Sequence, residues 1–282
     1  SRGNGPFRDD DPTHDWAGYF VSLNRGKKSI QLDLKTEEGK ALAERQGDRA
    51  VFVLPRVDHR ELFQKAKRVE EEGRYLFATQ REVKIVPQTH GKWGGDGERA
   101  LWTMEVGSDG AESLNFGFRE FFLPEGGELT LKAETGEEFK FTSSDNDAHG
   151  ELWTPIMAGD RVAMELSVPR GLVDEVRLTL EKVNHGFRSA KRGRLKGIGD
   201  STSGRCHVDV ICSAENDATF GPLVDLFRDQ IRSVGAYTVD GVEVCSGALI
   251  NNTRNDATPY FLTAAHCGLN SLLAPSVVVY WN

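Results

Sequence analysis

The sequence predicts a mainly β protein. An antiparallel β-sandwich is followed by a second, shorter all-β segment and preceded by a short α/β stretch. Three observations carry this. Half a dozen stretches between residues 102 and 180 alternate apolar with polar residues, the period of a strand with one buried face. Turn-forming strings (GSDG, LPEGG, ETGEE, SSDND, MAGD and VPRG) separate them. Beyond residue 230, Asp240-Gly241 stands between two more alternating runs, a strong hairpin signal.

Taken in order, the first zone runs from 1 to 48. Tyr19, Val21 and Leu23 alternate with Phe20 and Ser22, a basic turn RGKKS follows, and Ile30 to Leu34 reads as a short strand. Thr36 is placed as a helix N-cap, with Glu37 and Glu38 where the helix dipole favours carboxylates. A helix through Ala41 and Leu42 follows.

The second zone covers 49–187. Asp58 caps a helix with Glu61 three residues on, a variant of the capping box. Leu62, Phe63, Ala66 and Val69 form its apolar stripe, and Gly73 ends it. The period then becomes two: Trp102, Met104 and Val106; Leu114, Phe116 and Phe118; Leu129, Leu131 and Ala133; Phe139 and Phe141; Val162, Met164, Leu166 and Val168; Val176, Leu178 and Leu180. Strands of this kind pair as an antiparallel sandwich.

Residues 188–205 are a joint. Arg188, Lys191, Arg192, Arg194, Lys196 and Arg205 stand against one acid, Asp200, among frequent Gly and Ser with no period. A nucleic-acid patch would interleave aromatics or carry a motif, so an exposed linker is the better reading. In the third zone, 206–282, Val234, Ala236, Thr238 and the Asp240-Gly241 turn lead to Val242, Val244 and a strand Ser246–Ile250, then YFLTA (read as a buried strand) and a strand SVVVYW, with NNTRNDATP as a polar loop.

Composition narrows the function. A chain of 282 residues has room for two domains of roughly 100–200 residues. With 38% hydrophobic and 28% charged residues it reads as soluble and globular. A net charge of −8 argues against nucleic-acid binding, which needs clustered positive charge. No apolar run reaches the roughly 18 residues of a membrane helix, so no membrane partner is expected. The opening SRGNGPFRDDDPTHDW has no apolar core, so no signal peptide is read in this chain. Yet Cys206, Cys212, Cys245 and Cys267 all cluster in the third zone, which suggests a disulfide-bearing, exported unit; four reduced thiols are the alternative. An export-type segment without an export signal points to a composite or incomplete chain.

The stretch PYFLTAAHCGL offers His266 as a general base, a metal ligand or a packed residue. Zinc is disfavoured. Cys206 and Cys212 lack the close spacing of a ligand pair, and Cys267 follows His266 too directly for easy joint ligation, so no metal or other cofactor is expected.

The string GAYTVDGVEVCSGALINN…PYFLTAAHCG resembles the N-terminal barrel of trypsin-like, chymotrypsin-fold serine proteases, where a CSGALI-like strand and a TAAHC motif flank the catalytic histidine. GRCHVDVIC, IRSVGAY and SVVVYWN are similar to the secreted bacterial branch that includes lysyl endopeptidases. HGELWTPIMAGDRVAMEL and VNHGF resemble the long pro-region of those enzymes. The resemblance implies a fold class of β-sandwich pro-domain followed by an incomplete chymotrypsin-like β-barrel. It implies His266 as the base of a His-Asp-Ser triad, a Cys245–Cys267 disulfide, and unpaired Cys206 and Cys212 whose partners lie beyond Asn282. It also implies secretion, polypeptide substrates for the complete enzyme, and processing in the linker, placed at Lys196–Gly197. GDST at 199–202 echoes a catalytic-serine motif but precedes the histidine and lacks the two glycines of the oxyanion turn. Without the aspartate and the serine, the chain as given is expected to be inactive.

The first zone has another relative. GYFVSLNRGKKSIQLDLKTEEGKALAER resembles the family III CoA-transferases, which implies Arg25, Lys27 and Lys28 as candidate CoA contacts; a solvated basic turn is the alternative. The resembling stretch stops short of that family's catalytic aspartate and cannot transfer CoA alone. The whole is therefore expected to be a CoA-transferase-like fragment joined to a protease precursor fragment, by gene fusion or a sequence-assembly join. The rivals are a CoA-transferase-related protein with a β-rich remainder and a non-enzymatic β-sandwich binding module.

Overall fold

A computed structural model describes residues 49–95, 97–189, 213–215 and 217–281, all within one compact unit, Arg49–Asn282. The first zone with Arg25, Lys27 and Lys28, the linker residues Lys196 and Gly197, and Cys206 and Cys212 lie outside the described residues.

The chain opens with strand β1 (Ala50–Leu54), helix α1 (His59–Glu71) and strands β2 (Tyr75–Leu76) and β3 (Ala78–Ile85). Strands β4 (Lys92–Gly94), β5 (Arg99–Ser108), β6 (Ser113–Phe122), β7 (Glu128–Ala133) and β8 (Glu138–Thr142) follow. Next come β9 (Glu151–Trp153), β10 (Met157–Ala158), β11 (Arg161–Pro169) and β12 (Arg177–Gly186).

One sheet runs β1-β5-β11-β7-β8, with β4 on β5; the facing sheet runs β10-β6-β12-β3, with β9 on β6. The register puts the predicted alternation to use. Trp102, Met104 and Val106 lie opposite Leu166, Met164 and Val162, which in turn lie opposite Leu129, Leu131 and Ala133. These rows pack on Leu114, Phe116, Phe118, Leu178, Leu180 and Val183 of the other sheet in one buried core. Each large side chain so removed from water stabilises the fold by about 1.5–3 kcal/mol. A register shift on β12 between Leu180 and Lys182 lets both Leu180 and Val183 face inward, although they are three residues apart.

The structure departs from expectation in several places. The sandwich is not wholly antiparallel, because β1 pairs with β5 in parallel. A connection through α1 makes that possible, since parallel neighbours need a crossover. Asp58 does cap α1, but its carboxylate accepts from the Arg60 amide at 2.9 Å rather than from that of Glu61. The helix ends as expected: Gly73, at φ +79°, donates to Glu70 O and Arg74 donates to Val69 O, the paired bonds of a Schellman turn. Arg188, assigned to the linker, is instead packed. Its guanidinium lies 4.0 Å above the Tyr75 ring, donates to Leu76 O and pairs with Glu70.

The third sheet is built from β13 (Val234–Val239), β14 (Glu243–Ile250), β15 (Tyr260–Thr263) and β16 (Val278–Trp281), in the order β15-β14-β13-β16. Two short helices, α2 (Gly221–Asp225) and α3 (Arg228–Ile231), precede it and were not foreseen. The Asp240-Gly241 hairpin forms. Both residues have positive φ and Val242 N donates to Val239 O, a type I′ turn. The sheet stays open. β15, expected to be buried, is an edge strand with Tyr260 and Leu262 exposed. The fifth strand comes from the first half of the chain: β2 pairs with β14, Leu76 opposite Glu243 and Tyr75 opposite Val244.

The outer face of β6 is buried too: Trp153 of β9 lies against Gly117, Ser113 lies against Gly186 of β12, and Asn115 meets the hairpin of the third sheet. Asn115 and its cross-strand partner Asn184 receive the hairpin turn. Asn115 Nδ2 donates to Gly241 O at 2.9 Å, and Asn184 Nδ2 donates to Asp240 O at 3.2 Å and to Asn115 Oδ1 at 2.7 Å.

Candidate active site

β15 delivers its chain into a single helical turn, Ala265–Cys267, which Gly268 closes in the left-handed region at φ +70°. Because Thr263 pairs with Gly247, the turn after it falls beside Cys245 on β14. There Cys245 and Cys267 form a disulfide, with Cα atoms 6.1 Å apart. Cys267 is buried against Tyr237 and Val239. Beneath it, the Tyr237 hydroxyl lies 2.7 Å from Thr263 Oγ1, and Thr263 donates to Ser246 O. The Phe261 ring stands edge-on to both Tyr237 and Trp281. Gly247 is required here, since a Cβ would overlap that Phe261 ring.

This scaffold fixes the backbone of His266 while leaving its side chain exposed. Among the described residues no aspartate, serine or other group hydrogen-bonds the imidazole. Gly73 at the end of α1 approaches it, and a Cβ there would stand 3.7 Å from His266 Cδ2. Just beyond, Arg74 Nη1 donates to both carboxylate oxygens of Glu243, at 2.8 and 2.9 Å, tying the α1–β2 turn to β14.

Cys245, His266 and Cys267 place one donor atom each within 4.8 Å of one another. With the two sulfurs bonded to each other, neither is a thiolate, so the cluster has no zinc-type donor set as it stands.

Sequence reasoning missed a second polar cluster inside the sandwich. Ser108, His185 and His59 form a chain of contacts there. The available signal was a histidine following an asparagine in the VNHGF string, beyond the last alternating run at Val176–Leu180. The Asn115–Asn184 pair that grips the hairpin was also missed, since Asn115 falls on the polar side of the Leu114, Phe116 and Phe118 alternation and Asn184 lies beyond the last alternating run.

Comparisons with known proteins fall on the same two segments. Residues 200–282 match the family model described as lysyl endopeptidase, C-terminal domain, and residues 1–50 match that of CoA-transferase family III. A lysyl endopeptidase of Pseudomonas aeruginosa is 26% identical across 62% of this chain. A match of that length cannot fit within 200–282 and takes in part of the preceding chain. The chain spans 39% of the length of that relative.

Proposed function

We propose that residues 49–282 belong to the precursor of a secreted serine endopeptidase, with the sandwich as pro-region and 206–282 as the first part of the catalytic domain. The observation that carries this reading is His266, held by the Cys245–Cys267 bridge on a rigid turn with its imidazole free for a partner. A general base needs that combination: a fixed backbone and a ring nitrogen within reach of a hydroxyl.

In the complete enzyme His266 takes the proton of the nucleophilic serine and returns it to the leaving amine. An aspartate orients the ring, and backbone N–H groups hold the oxyanion. The substrate is a polypeptide, and the name of the relative suggests lysine at the cleaved bond. Residues 1–282 alone lack those partners for His266 and are inactive. Cys206 and Cys212 take partners outside this chain, and the linker is cut at Lys196–Gly197.

The contacts between sandwich and third sheet support a precursor. β2 completes an edge of β14, the Asn115–Asn184 pair seats the hairpin, and Gly73 stands next to His266. The test is to read the gene through both ends of this chain, express its full product and assay lysine-containing peptides. Hydrolysis abolished by H266A, with none from residues 1–282, is expected. Serine-dependent hydrolysis by 1–282, or a full product whose activity survives H266A, would overturn the reading.

For residues 1–50 the family match supports a second reading confined to that segment: a CoA-transferase-like piece with Arg25, Lys27 and Lys28 facing the CoA nucleotide. Titration of CoA into residues 1–48 tests it, and binding lost in K27A/K28A is the expected sign.

A further inference from the structure

Helix α1 closes one end of the sandwich, and its first residue makes a contact that the proteolytic reading does not use. His185 on β12 is completely buried. Its Nδ1 lies 2.8 Å from Ser108 Oγ on β5 of the opposite sheet, and its Nε2 lies 2.9 Å from His59 Nε2. The two rings meet edge-on, with centroids 5.2 Å apart. Both sheets and the helix therefore converge on one imidazole.

The chemistry of that junction is restrictive. Two Nε2 atoms in contact share a single proton, one ring donating and the other accepting. Adding a proton to the acceptor sets two N–H groups head to head. The other charged groups facing His185 do not relieve this. Arg81 of β3 and Arg56 of the β1–α1 connection add positive charge that opposes a proton there, and Asp160, before β11, partly offsets them. Burial first, and the neighbouring His59 second, push His185 down to about 4.

Other uses of the cluster fail. Ser108 and His185 are both fully buried, so no substrate reaches a Ser–His pair there. Among the described residues the only grouping of three metal-type donors is the one around Cys245, so nothing completes a metal site on the two histidines.

We propose that the Ser108–His185–His59 chain is an acid-sensitive latch, which when neutral locks α1 onto both sheets and on protonation lets the helix lift from the end of the sandwich. The consequence reaches the third sheet. Leu62 and Ala66 of α1 pack with Leu76 and Phe187, and Val242 of the hairpin packs against the same cluster. Lifting α1 therefore loosens the hold of β2 on β14. The latch is a property of the sandwich and stands whether or not His266 serves a protease.

The direction follows from linkage. The proton affinity of His185 is lower in the closed state than in an opened one, so closure is fully supported above about pH 6.5 and loses support as pH falls toward about 4. Between pH 7 and pH 5 the opening equilibrium shifts by about twentyfold.

Hydrogen exchange by mass spectrometry on the full chain, corrected for intrinsic rates, reads this directly. Amides of residues 62–73 should exchange about twentyfold faster at pH 5 than at pH 7, while those of β5 and β11 stay protected. H185Q should flatten the response. H59Q, at the partly exposed start of the helix, should diminish it and serves if H185Q does not fold. Helix amides indifferent to pH between 7 and 5, or an H59Q protein with an undiminished response, would overturn the latch.

Discussion

Asn115 donates its side-chain amide to the carbonyl of Gly241, so a strand in the middle of the sandwich holds the turn of a hairpin that lies 126 residues further along the chain. Asn115 and its cross-strand neighbour Asn184 are both buried, and the turn they grip has the left-handed geometry that glycine adopts without strain.

Replacing Asn115 by Ala should therefore lower the stability of the chain by about 1–3 kcal/mol, since it leaves a buried carbonyl unpaired. G241A should cost at least as much. Its φ of +65° disfavours a side chain, and the new Cβ would collide with Asn115 Oδ1 and Asn184 Nδ2. Urea titration of both variants measures this, and an unshifted midpoint for G241A would show that the turn is not seated as described.

The Cys245–Cys267 bridge closes a loop with a sequence separation of 22. Loops of that order lose about 3 kcal/mol of stabilisation when opened. C245S/C267S should show that loss as a lower midpoint of the single transition of the whole unit. A melt identical to that of the parent chain would contradict it.

Tyr280 carries a test at the alkaline end. Its side chain is partly buried, its hydroxyl accepts from the Ile156 amide at 3.0 Å, and burial pushes it up to about 12. A raised phenol favours the neutral form in the folded state. Its contribution is present below about pH 10 and is lost as pH climbs toward 12. Absorbance titration of the parent against Y280F should isolate one tyrosine of the five that ionises near pH 12. A difference curve centred at pH 10 would refute the burial.

Limited trypsin digestion should begin between Lys191 and Arg205 and spare Arg188. The Arg188 side chain is stacked on Tyr75 and bonded to Leu76 O and Glu70. Peptides ending at Arg188 are expected only after the linker has gone, and R188A should also expose Tyr75. Early cleavage at Arg188 in the parent chain would show that the packing is not maintained.

The sandwich core was legible because β5, β7 and β11 keep strict alternation with one face on the core. β3 was not. Its sequence ATQREVKI is flanked on both sides by partly covered surface and shows no clean period. The burial of Asn115 was hidden for a related reason: a polar outer face reads as solvent-facing until a distant segment, here the Gly241 turn, is seen to cover it. At the candidate site the motif gave His266 and Cys267 directly. Gly73 and Glu243 could not be read as neighbours, because nothing local in the chain signals that β2 joins β14.

β2 itself has a mechanical consequence. Phe77, directly after it, donates to Val242 O in the third sheet, and its own carbonyl accepts from Phe187 at the end of β12. Two adjoining hydrogen-bond ladders thus run through one residue, with no slack segment where they meet. Strain applied to either ladder passes to the other, so sandwich and third sheet should unfold in one transition rather than as separable halves. Separating them intact would mean peeling a ladder open from the Arg74 end, one bond at a time.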